Sequence, residues 1–294
     1  MREAEIEVYK AVAAAGQGPQ ILYFDEGVRL EEFIESTVLP AQHMLSPGYL
    51  EEVAFCIAKF HQIKPQSALI PSQSLALKCF ESQREKLLGA CQSKLGSNIF
   101  SESEKEVVEL CRGWTTAAEA EFICKTARLC EEGGLVFSHN DTLANNFLIR
   151  PDGSCTLIDY EYAAFNSPIF DIGSYLSETV FDYNEPKPPF FGVLPSPKPE
   201  QKRRLIQAYV AAKRLSREEF KGRLEEVIEG DEEVKKEVEQ LWKLLPYGEL
   251  LSHAMWGWWA IIVCKNPLID FDYLEFAKHR HSCYQALKKT LIEG

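Results

Sequence analysis

The segment Val136-Phe137-Ser138-His139-Asn140-Asp141-Thr142-Leu143-Ala144-Asn145-Asn146-Phe147-Leu148-Ile149, followed by Leu157-Ile158-Asp159-Tyr160-Glu161-Tyr162, restricts this chain more than any other part of it. An apolar run delivers a His-x-Asp to a loop. An Asn follows five residues after the Asp, a hairpin-like strand pair comes next, and a second Asp stands at its end. That is the layout of a phosphoryl-transfer centre. Transfer of a phosphoryl group passes through a loose transition state, so the protein mainly positions the acceptor hydroxyl and neutralises charge. One carboxylate must face the hydroxyl, as Asp141 can, and hard oxygen ligands must hold Mg²⁺, as Asn146 and Asp159 can.

Any one of these residues alone reads as a turn, a cap or the end of a strand. Three in this order, separated by 5 and then 13 residues with apolar strands between, favour the functional reading. Protein kinases share this order of a catalytic-loop Asp, a downstream Asn and a metal-binding Asp, although Asp159-Tyr160-Glu161 replaces the usual Asp-Phe-Gly.

The 294 residues suffice for one domain of two lobes or two small domains, and a 26% charged, 46% hydrophobic composition is that of an ordinary globular protein. The formal charge of -12 argues against nucleic acid or an anionic membrane surface as the main partner. Nine cysteines without a Cys-x-x-Cys or a metal-type cluster read as reduced thiols, which places the chain in the cytoplasm. The most apolar run, 254–264, is too short to span a bilayer and is expected to be a buried helix.

In chain order, residues 3–15 predict a helix with Ile6, Tyr9 and Ala13 on one stripe. Two strands, 21–24 and 28–34, follow around Asp25-Glu26-Gly27. Residues 47–64 predict an amphipathic helix closing with a packing or capping His61. Residues 101–132 read as mostly helical. Phe165 to Tyr183 holds a second dense cluster, Asn166, Asp171-Ile172-Gly173 and Glu178, and six prolines mark 184–200 as a surface excursion. A charged helical stretch, 216–245, precedes two closing helices at about 247–264 and 271–292.

These residues carry a resemblance. The chain is similar to choline/ethanolamine kinases, a family with a protein-kinase-like fold. His139-Asn140-Asp141 with Asn146 resembles the family's phosphotransferase motif. Asp159-Tyr160-Glu161-Tyr162, Asn166, Phe170-Asp171-Ile172-Gly173 and Glu178 resemble its choline kinase motif, and Ser252-His253 through Trp256 and Trp259, then Asp270-Phe271, resemble its C-terminal substrate-side helix.

The resemblance implies an α+β, two-lobed protein-kinase-like fold, with a remnant of the N-terminal lobe at 1–35 and a mostly helical catalytic and substrate-binding lobe at 36–294. It implies ATP and Mg²⁺ as cofactors and choline or ethanolamine as the acceptor, giving the phosphoamine used in phospholipid synthesis. Asp141 would be the base, Asn146 and Asp159 the metal ligands, and Glu32, Phe33 and Ile34 the hinge that holds adenine. Glu161, Tyr162, Glu178, Tyr183, Trp256 and Trp259 would line the ammonium pocket with Asp141. A quaternary ammonium donates no hydrogen bond, so aromatic faces and a nearby carboxylate suit it, and Trp256 and Trp259 lie three apart on one helix face.

A kinase of this family carries a glycine-rich phosphate loop and a lysine-bearing strand ahead of its first helix, whereas this sequence opens inside that helix. Glu5 matches the helix glutamate that pairs with the lysine, and Glu3 is the neighbouring candidate. The resemblance therefore implies a small lobe cut short, with exposed apolar surface on its inner face and a weakened phosphate clamp. Leu143 and Phe276 lean towards ethanolamine and the Leu30-to-Ile34 hinge towards choline, which leaves the amine open. Two rival readings are an aminoglycoside-type small-molecule kinase, against which the paired tryptophans count, and a non-catalytic subunit pairing with a full-length relative. A homodimer is left open.

Overall fold

The computed structural model describes residues 3–25, 28–264 and 270–293. Helix α1 (Glu3–Ala14) starts with Glu3 and Glu5 in its first turn, where the helix dipole favours acids, and buries Val8, Tyr9, Val12 and Ala13. The buried stripe lies one step round from the expected one, and Ile6 is only half-buried. Strands β1 (Ile21–Asp25) and β2 (Val28–Glu31) pair antiparallel. The second strand ends three residues earlier than the sequence predicts, and residues 32–36 continue without ladder pairing. Glu26 and Gly27 of the expected turn lie outside the described residues. The hairpin leaves Leu22, Tyr23, Val28 and Leu30 each at least half exposed.

Strand β3 (Thr37–Val38) leads to α2 (Pro47–Phe60), which has Pro at its first position and buries eight residues. Helix α3 (Leu75–Leu95) was not legible in the sequence, because its 21 residues bury only Ala76, Phe80, Leu87 and Cys91. Helices α4 (Glu102–Arg112) and α5 (Ala117–Glu131) account for the predicted helical stretch. Their starts are fixed by a Ser101–Glu104 capping box and a Thr116 cap.

Four short strands then build the centre: β4 (Val136–Ser138), β5 (Phe147–Ile149), β6 (Cys155–Leu157) and β7 (Ala164–Asn166). β5 and β6 form the expected hairpin, with β3 added on the outer side of β5, while β4 pairs antiparallel with β7. Helix α6 (Pro168–Glu178) is buried on nearly every residue. Strands β8 (Phe181–Asp182) and β9 (Gly192–Val193) pair across the proline-rich segment. That segment is more than a surface excursion, since Phe191 is buried against Phe181, Phe271 and Phe276.

Helices α7 (Pro199–Ala212) and α8 (Arg217–Gly230) precede α9 (Glu232–Val263) and α10 (Tyr273–Glu293). The sequence predicts a break near residue 246, yet α9 runs unbroken through Pro246 for 32 residues. An interior proline costs about 3 kcal/mol, and burial of almost every residue from Gly248 to Ile261 offsets it. This half of α9 is the predicted buried helix. It packs on α6 and α10, and Gly173 and Gly248 let α6 and α9 approach backbone to backbone. A Cβ on Gly173 would stand 2.5 Å from Glu249 N, and one on Gly248 would stand 2.4 Å from Ile169 O.

Candidate active site

The loop between β4 and β5 is held from below by one buried carboxylate. Asp171, on the first turn of α6, accepts the His139 N–H at 2.8 Å on one oxygen and the Asn140 N–H at 2.7 Å on the other. His61, closing α2, contacts the same carboxylate through Nε2 at 2.9 Å and Tyr209 Oη through Nδ1 at 2.9 Å. Asn140 takes the left-handed conformation (φ 68°), and its amide donates to Tyr162 O at 2.9 Å while Asn166 donates to its Oδ1 at 2.8 Å. Asn tolerates that backbone state better than most residues. His139 is fully buried, and burial lowers its pKa. The neutral ring donates from Nε2 to Ile158 O at 2.8 Å and accepts the Asp141 N–H at Nδ1 at 3.3 Å, which fixes its tautomer. His139 is thus a strut that ties the loop to the end of β6.

Asp141 emerges from this scaffold 8% exposed. Asn146 Nδ2 donates to its carboxylate at 2.9 Å and to its backbone carbonyl at 2.8 Å. Burial, then the charge of Glu178, push the Asp141 carboxyl well above the usual carboxylate range. The Asn146 hydrogen bond opposes that shift, and the charges of Asp159 and Glu161 add to it. The cluster is therefore an electronegative well.

Asp159 lies just past β6, exposed and with φ 64°. It makes no hydrogen bond or ion pair among the described residues. Asn146 Oδ1 likewise accepts none among them, since only its Nδ2 is engaged. A carboxylate and a carboxamide oxygen free of protein partners among the described residues, with the Asp141 carboxylate as a further hard ligand, fit Mg²⁺.

Beside Asp141 opens a cavity of about 440 Å³ lined by Leu143, Glu161, Tyr162, Glu178, Tyr183, Trp256 and Trp259, and also by Phe271, Tyr273 and Phe276. Tyr162 meets Trp256 edge-on at 5.3 Å, Trp256 meets Trp259 at 5.7 Å, and Trp259 meets Tyr273 at 5.5 Å. Tyr183 Oη donates to Glu178 at 2.6 Å, and Arg280 bonds the other Glu178 oxygen. Burial and the Glu161 charge raise the Tyr162 phenol, which stays neutral. Trp258 faces elsewhere, edge-on to Phe80 at 5.2 Å.

The structure therefore brings together Asp141, Asn146, Glu161, Tyr162, Glu178, Tyr183, Trp256 and Trp259. A profile of the choline/ethanolamine kinase family matches residues 1–285. The chain belongs to the choline/ethanolamine kinase family. Curated relatives of this kinase include a probable choline kinase of Arabidopsis thaliana, 27% identical over 99% of this chain and 75% of that protein. A choline/ethanolamine kinase of Rattus norvegicus is 28% identical over 98% of this chain and 68% of its own length. Among solved structures, a choline kinase from Cryptosporidium parvum covers the whole chain and 80% of its own, with a TM-score of 0.74 at 23% identity. The fold is the kinase-like one that the resemblance implied, and the chain is a phosphotransferase with an alcohol acceptor.

Of the N-terminal candidates of this kinase, Glu5 lines a neighbouring cavity of about 550 Å³ together with Glu161, Tyr162, Trp256 and Trp259, whereas Glu32, Phe33 and Ile34 line neither that cavity nor the one beside Asp141. Glu5 faces Arg29 at 3.6 Å, and Arg29 also pairs with Glu31 and stacks over Tyr9 at 3.4 Å. Glu32 donates its N–H to Gln20 O at 2.9 Å, Phe33 is exposed, and Ile34 is buried, its N–H without a partner among the described residues. Sequence reasoning missed Asp171 and His61 as supports of the loop, and Arg280 as the partner of Glu178. It also left Phe271 and Tyr273 out of the pocket. The alternation Phe271-x-Tyr273 next to Phe276 was the available signal for the last two.

Proposed function

We propose that this chain transfers the γ-phosphoryl group of ATP to the hydroxyl of choline or ethanolamine, the step that supplies the phosphoamine for phospholipid synthesis. The observation that carries this reading is the junction of the aromatic cavity with the Asp141 carboxylate. A cation held among Tyr162, Trp256 and Trp259 has its hydroxyl arm directed at a base. Each aromatic face contributes about 0.5 to 2 kcal/mol to an ammonium, and Glu161 and Glu178 add negative charge at the wall. Asp141 accepts the hydroxyl proton and orients the nucleophile, while Asn146 fixes the carboxylate rotamer. Asn146 and Asp159 would hold Mg²⁺, which when bound neutralises charge on the transferring phosphate. Residues 32–34 would hold adenine. A related choline kinase of Streptococcus pneumoniae, with a TM-score of 0.54, has been solved with AMP, which supports nucleotide use. The division into a small lobe at 1–35 and a catalytic lobe at 36–294 belongs to the same proposal.

Mg²⁺-dependent ATP consumption measured with choline, with ethanolamine and without acceptor tests the reading. Acceptor-dependent turnover with either amine supports it and names the amine. Turnover that ignores both amines removes the acceptor assignment.

A further inference from the structure

Away from the Asp141 cluster, α2, the turn between β5 and β6, and the start of α8 enclose a second cavity of about 500 Å³. Lys59, Arg150, Arg217 and Lys221 line it against a single carboxylate, Asp152. A local excess of three positive charges is conspicuous in a chain of net charge -12. None of Asp141, Asp159, Glu161 or Glu178 reaches this cavity.

The chain itself leaves most of that charge unmatched. Lys59 Nζ donates only to neutral oxygens, Leu215 O at 2.9 Å and Gln62 Oε1 at 3.4 Å. Arg150 Nε donates to Thr156 Oγ1 at 3.1 Å, and Lys221 has no ion pair among the described residues. Arg217 pairs with a carboxylate, Glu52, and the charges of Lys221 and Arg217 also act on Asp152. Lys59 and Arg217 also crowd one ring, lying 5.2 and 3.9 Å from the centroid of Phe55. Burial first and the Arg217 charge second lower the Lys59 amine, so holding both cations there costs folding free energy that an anion would recover. The adjoining groove shares Arg150, Asp152 and Lys221 with this cavity and is where Glu51, Glu52, Glu225 and Glu226 lie, so the Lys59 and Arg217 end is the one without acids in its lining.

We infer that this cavity is a second ligand site, which takes a phosphate-bearing small molecule on Lys59, Arg150, Arg217 and Lys221. A phosphate group presents three acceptor oxygens and up to two negative charges. It can therefore meet guanidinium forks and ammonium point charges together, which a single carboxylate cannot. The acidic groove next door and the net charge disfavour a long polyanion such as nucleic acid. The site is independent of the roles assigned above to Asp141, Asn146 and Asp159.

The test is calorimetric titration of the intact chain with inorganic phosphate, with the accompanying shift in Tm, at an ionic strength held constant with sodium chloride. Wild type and Asp159→Asn should bind phosphate alike. The double variant K59Q/K221Q should bind at least about tenfold more weakly, about 1.4 kcal/mol. Lys221 is exposed, so Lys221→Glu tests the same point where the double variant fails to fold, and it too should weaken phosphate. Equal phosphate affinity in wild type and Lys221→Glu overturns the site. So does loss of binding in Asp159→Asn, or no binding to wild type.

Discussion

In the proposed mechanism Asp141 acts as a base where its own charge is disfavoured. Burial and Glu178 hold its folded pKa well above the ordinary value. Below about pH 4 the carboxyl is protonated in both folded and unfolded chains and costs nothing. As pH rises from there towards the folded pKa, the unfolded chain ionises first, and the folded state loses stability. Asp141→Asn should therefore raise Tm by an amount near zero at pH 4 that grows towards pH 8, while abolishing turnover. A Tm gain that is flat across this range overturns the electrostatic account. Because the base must be ionised to work, the acid limb of kcat should lie above the usual carboxylate range. Glu178→Gln, which removes the largest charge acting on Asp141, should move that limb to lower pH, and an unmoved limb in the pH–rate profile would sink the assignment. The spacing of Asp141, Asn146 and Asp159 is local, which is why the sequence alone could single them out as candidates. The residues that hold them were not, since Asp171 reaches the loop from 32 positions away and His61 reaches Asp171 from 110.

At the scale of elements, the proposed acceptor pocket depends on how closely α6, which carries Glu178, approaches α9, which carries Trp256 and Trp259. Gly173 and Gly248 set that distance. Gly173→Ala places a methyl 2.5 Å from backbone atoms of Gly248 and Glu249, which no flexible side chain can relieve. It should lower stability by about 1–3 kcal/mol and raise the acceptor KM, as read by denaturant unfolding and steady-state kinetics. Gly222→Ala in α8, where a Cβ meets nothing within 4 Å, should stabilise by about 0.5–1 kcal/mol. If both substitutions behave alike, the close approach is not what fixes the crossing. Element boundaries were also where sequence reasoning failed. Pro246 looked like a stop, but burial on both sides carries the helix through it. The six prolines of 184–200 looked like solvent-facing chain, but Phe191 anchors them to the aromatic wall. Both outcomes depend on long-range packing that a local pattern does not contain.

At the scale of the molecule, a net charge of -12 surrounds a pocket into which Glu161 and Glu178 face, and the two tryptophans form its wall. Negative potential focused into a cleft raises the local concentration of a cation, and salt screens it over a Debye length of about 10 Å at 0.1 M. The aromatic contribution depends little on salt, because the rings act at contact distance. Choline binding, followed by quenching of Trp256 and Trp259 fluorescence, should therefore weaken several-fold between about 0.05 and 0.5 M sodium chloride and then level off at an aromatic floor. Its uncharged isostere 3,3-dimethyl-1-butanol should bind weakly and show no salt dependence. Trp259→Ala should lower the floor and leave the salt slope unchanged, whereas Glu161→Gln should flatten the slope and leave the floor. If choline and the isostere share one salt dependence, the long-range field has no part in substrate capture and the pocket works through its rings alone. If Trp259→Ala changes the ATP KM as much as the acceptor KM, the rings are not the acceptor wall, and the cavity beside Asp141 needs another occupant.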